Sequence, residues 1–364
     1  MYDIAIIGAG ISGSSVAYEL KQHHKNLIVF DGGGVGSGGS GAAGAFIAPK
    51  FSKKGELKEI LHDAFLYAID FYTKNFPHLF TKTQLLHLAK DQKDAEILRY
   101  YKQNTPLKLY DVDTDALEYV SIDAGIVKAK EMCEAMLDGV EFVKKDVKTL
   151  YYTDGYWNIN DTFKAKSVVL ATGAYEGVIK EPYINLRGIW GHRIDIATST
   201  QNPYSIHQFV SISPSQDFKV AIGATHNVFY HPQKTKEPYN LQEGRDELLQ
   251  KASKTIKLED VKILKDYVGL RSGSFDYIPI VGKILKSDET LKKMGKKIRV
   301  KKPNTDEFVY HQNLYMVNGS AGYGFVLAPY LANILKNHLI DKTDIDDILK
   351  PERFFIRAAK KGLL

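Results

Sequence analysis

The chain begins with glycines whose spacing could bind a phosphate group without any side chain. Gly8, Gly10 and Gly13 follow a short apolar run directly. A tight turn, close backbone approach and helix–strand packing at these positions are what a pyrophosphate site at a helix N-terminus requires. The next apolar run, residues 26–30, ends at Asp31, whose carboxylate could accept hydrogen bonds from a ribose diol. The pattern predicts a dinucleotide-binding βαβ unit, and a glycine-rich turn without a ligand is the alternative.

Further stretches of small residues could line the same ligand. Residues 32–44 contain eight glycines and two serines, directly after the second predicted strand. Residues 167–174 predict a buried strand that ends at small residues, where a cofactor could pass close to the backbone. A glycine-rich turn at residues 319–324 precedes the last long predicted helix, so its backbone N–H groups can face a negative ligand.

Other elements must position these turns. Residues 57–76 have helical periodicity that Pro77 ends, and residues 183–263 predict alternating strands with one helix at 241–253. Residues 267–282 predict a glycine-punctuated loop that contains Arg271. The remaining predicted elements are strands 140–143, 147–152 and 156–159, and helices 129–137 and 328–338, with Pro329 in the first turn of the latter.

Length and composition indicate an ordinary globular protein. The chain has 364 residues, which predicts two domains, with 44% hydrophobic and 25% charged residues. No apolar run approaches the ~20 residues that cross a bilayer, so we expect no membrane association. The apolar N-terminus lacks a basic segment, so we expect no signal peptide.

Cysteine usage excludes internal disulfides and cysteine-based metal clusters. Cys133 is the single cysteine, and its place in a predicted helix favours a buried structural thiol. His23 and His24 have no partner at metal-ligand spacing, so no metal site is predicted. These features favour a reducing, cytoplasmic location.

The net charge of +6 is concentrated in two segments. Residues 283–302 contain nine lysines or arginines and two acidic residues. The last fifteen residues set a single acid, Glu352, against the cations Lys350, Arg353, Arg357, Lys360 and Lys361. Such segments are either solvated surface or a face that binds a polyanion.

The order of these motifs resembles the FAD-dependent oxidoreductases of the D-amino-acid oxidase and glycine oxidase superfamily. The resemblance rests on the first glycine turn with Asp31, the loop ending at Gly44, and residues 171–173, 268–271 and 319–324. It implies an α/β fold in which a Rossmann-like FAD-binding domain is interleaved with an α+β substrate domain on a mostly antiparallel sheet. The implied division assigns residues 1–50, 120–182 and 264–364 to the FAD-binding domain and residues 51–119 and 183–263 to the substrate-binding domain.

A narrower resemblance is to the C-terminal oxidoreductase half of the bifunctional tRNA-modification family MnmC. The similar segments are residues 40–41, 44–46, 49–53, 222–226, 268–282, 351–357 and 360–362. The family usually carries a methyltransferase half in front of this one, so we expect only the oxidative step here. Ala42 stands where the family tends to carry Asn after Ser-Gly, which alters the expected flavin contacts of that loop.

The resemblance implies oxidation of a glycine unit attached to tRNA. The substrate would be 5-carboxymethylaminomethyl-uridine at the wobble position, oxidised to an imine and hydrolysed to 5-aminomethyl-uridine and glyoxylate. An oxidase or dehydrogenase of free glycine, sarcosine or a D-amino acid is the alternative, and an FAD-bound scaffold without turnover is a third reading. A small molecule, with O2 as one candidate, would accept the electrons.

Three residues are candidates for catalysis. Arg271 suits a carboxylate clamp, because a guanidinium binds a carboxylate bidentately, and the superfamily has an arginine in the matching position. The alternative is that Arg271 braces its loop or pairs with Asp276. His226 and Tyr323 are candidates near the expected pocket, although each could be structural. His192 and Arg193 rank below them.

The implied FAD contacts extend through the whole chain. Ser40 and Gly41 would touch the pyrophosphate or the ring edge, and the backbone of Val147 would meet the adenine. The turn at 322–325 would direct N–H groups at the pyrimidine end of the flavin. The full predicted set is Gly8, Gly10, Ser12, Gly13, Asp31, Ser40, Gly41, Val147, Gly173, Gly322, Tyr323, Gly324 and Phe325. The two basic segments would contact tRNA phosphates.

Overall fold

The computed structural model describes residues 1–24, 26–175, 177–300 and 303–364. The strands, in chain order, are β1 (Tyr2–Ile7), β2 (Leu27–Phe30), β3 (Phe46–Ile47), β4 (Phe80–Leu88), β5 (Tyr119–Val127), β6 (Glu141–Val143), β7 (Leu150–Thr153), β8 (Tyr156–Ile159), β9 (Phe163–Leu170), β10 (Leu186–Ala197), β11 (Ser205–His207), β12 (Ser211–Ile212), β13 (Lys219–Gly223), β14 (Lys262–Ser274), β15 (Ile280–Leu285) and β16 (Tyr310–Asn318). The α-helices are α1 (Ile11–Leu20), α2 (Glu56–Asn75), α3 (Gln92–Asn104), α4 (Ala129–Met136), α5 (Leu241–Ser253), α6 (Ser287–Met294), α7 (Gly324–Ile340) and α8 (Glu352–Lys360).

The first sheet has a parallel centre. Its order is β15-β16-β9-β1-β2-β6, and all neighbours from β16 to β6 are parallel. Ile4 and Ile6 of β1 pack into one core cluster, and Ala5 and Ile7 pack into another. The apolar run before the glycine turn therefore fills both faces of the sheet, as a central parallel strand requires. The predicted βαβ unit is confirmed.

The second sheet is mostly antiparallel. Its order is β14-β10-β13-β12-β11-β4-β5-β3, with a parallel pairing between β11 and β4. The longest pairing joins β10 and β14, and it places Arg271 opposite Ile189. The predicted α/β class with a mostly antiparallel second sheet is confirmed.

Several strands of the second sheet come from segments that the sequence assigned to the nucleotide domain. β5 and β14 fall almost wholly within predicted FAD-domain ranges, 120–182 and 264–364, yet they pair with β4 and β10. The backbone N–H and C=O groups of β5 and β14 form hydrogen bonds with β4 and β10, and these bonds make both strands part of the second sheet. The division of the chain into two domains stays a prediction.

The last long helix begins earlier than the sequence predicts. α7 starts at Gly324, so Pro329 lies in its second turn and not in the first. Proline has no N–H to bond the carbonyl four residues before it, which here belongs to Phe325. The Tyr72 hydroxyl donates to that carbonyl with an O···O distance of 2.8 Å. A buried side chain from α2 thus satisfies the group that the proline leaves free.

Cys133 is buried on α4, as predicted, and burial raises the pKa of its thiol to about 12. A thiol with so high a pKa is almost fully protonated at pH 8 and is out of reach of reagents. We expect no labelling by a disulfide-exchange reagent in the native protein and stoichiometric labelling in denaturant. Rapid native labelling at pH 8 would contradict this burial.

The C-terminal helix is fixed to the fold by an ion pair. Arg353 Nε donates to Asp276 Oδ2 at 2.9 Å, and Phe354 and Phe355 of the same helix are buried in the core. Burial alone would raise the pKa of Asp276, but the hydrogen bonds and charge of Arg353 outweigh it and lower the pKa. The pair therefore stabilises the fold above the ordinary aspartate pKa of 3.8, and that contribution is lost as the pH falls through the lowered value.

We expect Arg353→Ala to lower the free energy of unfolding by about 2 kcal/mol at pH 7, because it leaves a partly buried carboxylate with Ser274 Oγ and Ile278 N as donors but without its cation. Urea unfolding measures the loss. The control is Lys257→Ala, whose pair with Glu259 is exposed, and it should cost less than about 1 kcal/mol. Equal losses in the two variants would refute a structural role for Arg353.

Within the described part of the chain, no helix has both the length and the apolar character needed to cross a membrane.

Candidate active site

A cavity of about 1090 Å³ brings together motifs that are far apart in the sequence. The first glycine turn and residues 38–40 line it from one side, and residues 320–325 line it from another. Gly191 of β10 and Arg271 of β14 contribute from the second sheet. The cavity therefore joins the carboxyl ends of the parallel strands to the antiparallel sheet, which is where open α/β sheets bind ligands.

The first turn has room only for glycine. Gly8 has φ +109°, and a Cβ there would lie 2.2 Å from the Ala171 carbonyl oxygen. A Cβ on Gly13 would lie 1.8 Å from the Gly8 oxygen. Gly10 precedes α1 and offers that helix no side-chain cap. Backbone N–H groups at the start of α1 thus face the cavity, where an anion would be stabilised.

Ser40 and Asp31 are both in the cavity wall, and both are also bonded to the turn. The Ser40 hydroxyl oxygen accepts from Ile11 N at 2.9 Å. Asp31 Oδ2 accepts from Ala9 N at 2.9 Å, and Oδ1 accepts from Gly33 N at 2.9 Å. Oδ1 also accepts from Gly34 N and Ser37 Oγ, so Asp31 shapes the turn and the glycine-rich loop. Oδ2, with Ala9 N as its one donor among the described residues, is the oxygen that retains acceptor capacity toward a ribose.

Val147 lines the end of the cavity beside Asp31 and Asp146. In the described residues, neither the N–H nor the C=O of Val147 has a hydrogen-bond partner within the protein. A backbone with both groups free can pair with the edge of a purine ring.

The opposite end of the cavity is built around the start of α7. A 3-10 turn, Ala321–Tyr323, leads directly into this helix, and Tyr323 provides no side-chain cap. Gly173, with φ +65°, faces the same space, and its carbonyl accepts from Asn318 Nδ2 at 3.0 Å. Gly322, Gly324 and Phe325 line this end as well.

Not every predicted cofactor residue reaches the cavity. Gly8, Gly10, Ser12 and Ser40 line it, whereas Gly13 and Gly41 do not. Gly13 allows α1 to pack closely against β1. Gly41 allows two parts of the glycine-rich loop to pack together, since a Cβ on Gly41 would lie 2.3 Å from the Gly36 oxygen. Both glycines shape the site from behind.

Arg271 presents a cation to the cavity. One guanidinium nitrogen, Nη2, donates to the Thr225 carbonyl oxygen. In the described residues Arg271 has no carboxylate partner, and Asp276, the partner considered from sequence, pairs with Arg353. Burial lowers the pKa of Arg271, and the group remains a cation at neutral pH. A half-buried, unpaired guanidinium with one nitrogen anchored is suited to binding a carboxylate.

Gly191 leaves room for this guanidinium, and Gly322 lies beside it. A Cβ on Gly191 would lie 2.5 Å from Arg271 Nη2, and one on Gly322 would lie 3.9 Å from Nη1. The neighbour of Gly191, His192, points to the other face of β10, where its Nε2 lies 2.9 Å from Asp266 Oδ1. Strand alternation therefore places Gly191 in the cavity and removes His192 from it.

His226 lies beside Arg271 in the cavity wall. Burial, followed by the charges of Arg271 and Arg187, lowers the pKa of His226 from its ordinary value of 6.5. The imidazole is therefore neutral at pH 7 and able to accept a proton.

Sequence reasoning assigned no role to Lys50, which also lines the cavity. Its Nζ lies 5.6 Å from the centre of the Tyr323 ring. The lysine follows β3, whose pairing with β5 brings the segment to the cavity. No local pattern marks such a residue, because the pairing that positions it is distant in sequence.

The described residues include no cluster of three or more His, Cys, Asp or Glu that could hold a metal ion. They do fit a long dinucleotide. A glycine cradle that any Cβ would obstruct lies at one end, and two helix N-termini, those of α1 and α7, face the cavity.

Comparison with known proteins agrees with this geometry. Residues 3–337 match the family DAO, described as FAD dependent oxidoreductase. The chain belongs to this family. Its cofactor is FAD, and it is an oxidoreductase, as the sequence predicted.

Curated relatives named tRNA 5-methylaminomethyl-2-thiouridine biosynthesis bifunctional protein MnmC match nearly the whole chain. The protein from Campylobacter fetus is 23% identical over 100% of this chain and 61% of its own length. The protein from Campylobacter jejuni is 25% identical over 99% of this chain and 60% of its own length. The predicted resemblance is confirmed, and the chain spans about three fifths of these relatives.

Solved structures share the fold of this DAO-family chain. Glycine oxidase from Geobacillus kaustophilus has a TM-score of 0.71 at 17% identity, covering 94% of this chain and 95% of its own. L-proline dehydrogenase from P. horikoshii has a TM-score of 0.73 at 16% identity, covering 99% and 98%. At these identities the likeness establishes the fold alone, and it confirms the predicted Rossmann-like FAD-binding architecture.

Proposed function

We propose that this chain oxidises the N-substituted glycine of 5-carboxymethylaminomethyl-uridine in tRNA. The observation that carries the proposal is the unpaired Arg271 guanidinium in the FAD cavity, in a chain whose curated relatives are named for a tRNA methylaminomethyl modification. The products are 5-aminomethyl-uridine and glyoxylate. A cytoplasmic location and a small-molecule electron acceptor such as O2 belong to the same proposal.

Arg271 would bind the carboxylate of the substrate. Its anchored Nη2 fixes the plane of the guanidinium, and the remaining N–H groups can form two parallel hydrogen bonds. A carboxylate held in this way leaves the adjacent CH2 little freedom to rotate. Bound FAD supplies the two-electron acceptor that removes a hydride from that carbon.

The substrate amine must lose a proton as its neighbouring carbon is oxidised to the imine. His226, which lines the cavity with Arg271 and is neutral at pH 7, would accept this proton. Water then adds to the C=N bond, and the C–N bond breaks to release glyoxylate and leave the primary amine on the uridine. The hydride carries two electrons and one proton, and His226 takes the second proton, so the oxidation of the amine to the imine is balanced.

The basic surface would attract the tRNA backbone. We define the tail surface as the exposed cations Lys296, Lys297, Arg299, Arg357 and Lys361. Ile298 and Phe355 share one core cluster, so the two segments that carry these cations lie side by side. Lys301 and Lys302, part of the predicted basic segment, lie outside the described residues.

One cation of the tail surface, Arg357, lies near the cavity. Arg357 lies with its guanidinium carbon 5.3 Å from the centre of the exposed Phe275 ring, and Tyr277 of the same loop lines the cavity. Arg353, included in the predicted tRNA-binding tail, is instead paired with Asp276. Phosphate contacts on this surface give affinity that falls with salt.

The test is the identity of the product. The protein is incubated with tRNA that carries the carboxymethylaminomethyl group, the tRNA is digested to nucleosides, and these are analysed by mass spectrometry. We expect 5-aminomethyl-uridine and an equal amount of glyoxylate. Unchanged tRNA, together with glyoxylate from free glycine or pyruvate from D-alanine, would favour the free amino-acid oxidase and overturn the proposal.

A further inference from the structure

A second cavity of about 630 Å³ opens beside the first. The two cavities share Ile189, His226 and Tyr277. A single ligand could therefore occupy both cavities, with one part in the second cavity and another part in the first cavity, which Arg271 lines.

The wall of the second cavity presents an exposed aromatic ring. Phe229 is 91% exposed, and Tyr277, which also lines the cavity, is 61% exposed. The segment that carries Phe229 is fixed, because the backbone N–H groups of Phe229 and Tyr230 both donate to Asn227 Oδ1 at 2.9 Å. Tyr230 packs on Trp190 with ring centres 4.8 Å apart. With Val228, which is 54% exposed, Phe229 and Tyr277 form an exposed apolar patch on one cavity, and such a patch indicates a binding partner.

The same wall contains a cation without an acidic partner. The guanidinium carbon of Arg187 lies 4.4 Å from the centre of the Tyr277 ring. Arg187 Nε is buried and has no hydrogen-bond partner. Within the described residues Arg187 forms no ion pair, and Lys234 adds a second positive charge to the cavity wall. A buried, unsatisfied guanidinium N–H calls for an acceptor oxygen.

We infer that the second cavity binds a nucleotide adjacent to the one whose side chain enters the active site. Its base stacks on Phe229, and its phosphate accepts hydrogen bonds from Arg187. Aromatic stacking with a nearby cation is the recurrent chemistry of single-stranded nucleic acid binding, and it suits an unpaired loop. The inference rests on the proposed function, because it assumes that the glycine unit is attached to RNA.

The test measures binding to the complete, FAD-loaded protein. The probe is a short, fluorescein-labelled, unmodified RNA hairpin with the sequence of an anticodon stem-loop, followed by fluorescence anisotropy. We expect Phe229→Ala and Arg187→Gln each to weaken binding by about 10-fold, and Phe229→Trp to retain it, since stacking is preserved. The matched control is Phe218→Ala, which removes an exposed ring outside both cavities and should change Kd by less than about 2-fold.

The salt dependence of binding distinguishes the phosphate contact of Arg187 from the base stacking of Phe229. Arg187→Gln should lower the slope of log Kd against log salt by about 0.7, the loss of one single-strand phosphate contact, while Phe229→Ala leaves the slope unchanged. Wild-type affinity in both variants would overturn the inference, as would equal losses with Phe218→Ala.

The inference can fail while the proposed function stands. If the wild-type protein converts tRNA but both variants bind the hairpin normally, the base-binding assignment is wrong and the reaction is unaffected. If the wild-type protein neither binds the hairpin nor converts tRNA, both are wrong.

Discussion

Replacing Arg271 by lysine is expected to lower kcat/KM for the glycine-bearing substrate by about 100-fold. Lysine keeps the positive charge but loses the planar pair of donors, so the carboxylate can rotate and the CH2 group leaves its reactive position. The hydrogen bond from Nη2 to the Thr225 oxygen, which fixes the plane of the group, is lost as well. Steady-state kinetics with modified tRNA measure the effect, and the FAD content of the variant should equal that of the wild-type protein.

The control for this substitution is Arg99→Lys. Arg99 is exposed, lies outside the cavity and pairs with Glu118, with Nε and Oε2 3.3 Å apart. Its replacement should change kcat/KM by less than about 2-fold, as surface pairs contribute little. Wild-type kcat/KM in Arg271→Lys would refute the carboxylate clamp.

Adding one methyl group at Gly10 is expected to weaken FAD binding by about 10- to 100-fold, equivalent to about 1.4–2.8 kcal/mol. The new Cβ would lie 3.0 Å from Ser40 Oγ, and it would occupy the surface that a pyrophosphate approaches. The serine that accepts from the first turn of α1 would have to move. Titration of the apoprotein with FAD, followed by flavin fluorescence, gives the dissociation constant.

Gly273→Ala adds the same methyl group outside the cavity. Its Cβ would meet only ordinary contacts, 3.5 Å from Ile189 Cδ1 and 3.6 Å from Ala321 Cβ. FAD affinity should stay within about 2-fold of the wild-type value. If Gly10→Ala binds FAD as tightly as Gly273→Ala does, the pyrophosphate does not approach the backbone at Gly10.

Local sequence patterns were sufficient for the nucleotide-binding half of the fold. Residues 4–7 and 27–30 are apolar throughout, and the strands found there are buried on both faces. α5 has the bounds predicted for it, because Asn240 caps it and its apolar positions recur with helical spacing. Apolar runs and helix caps depend on residues that are close together in the chain, so a single sequence is enough to predict these elements.

The segment around Arg271 shows where local reading fails. Glycines at 269 and 273 suggested a loop, but both lie in β14. Gly269 is there because a Cβ would lie 2.9 Å from the backbone of Gly39. From the sequence alone, a strand glycine that lets a distant loop pack against it cannot be told from a glycine that ends a strand. Arg271 lines the cavity from strand β14 and not from the loop that the sequence predicts.

The basic tail shows a second limit. Composition alone treats Arg353 and Arg357 alike, yet Arg353 pairs with Asp276 while Arg357 is exposed. The buried Phe354 and Phe355 fix which face of α8 points inward. Only this packing separates cations that stabilise the fold from cations that are available to RNA.

Anaerobic flavin reduction distinguishes the tRNA substrate from free amino acids in a single experiment. The FAD-loaded protein is mixed without oxygen with tRNA that carries the carboxymethylaminomethyl group and, in parallel, with free glycine and D-alanine. We predict rapid bleaching of the absorbance near ~450 nm with the modified tRNA and at most slow bleaching with the free amino acids. Bleaching by glycine or D-alanine with none by modified tRNA would contradict the account, as would a protein that cannot be loaded with FAD.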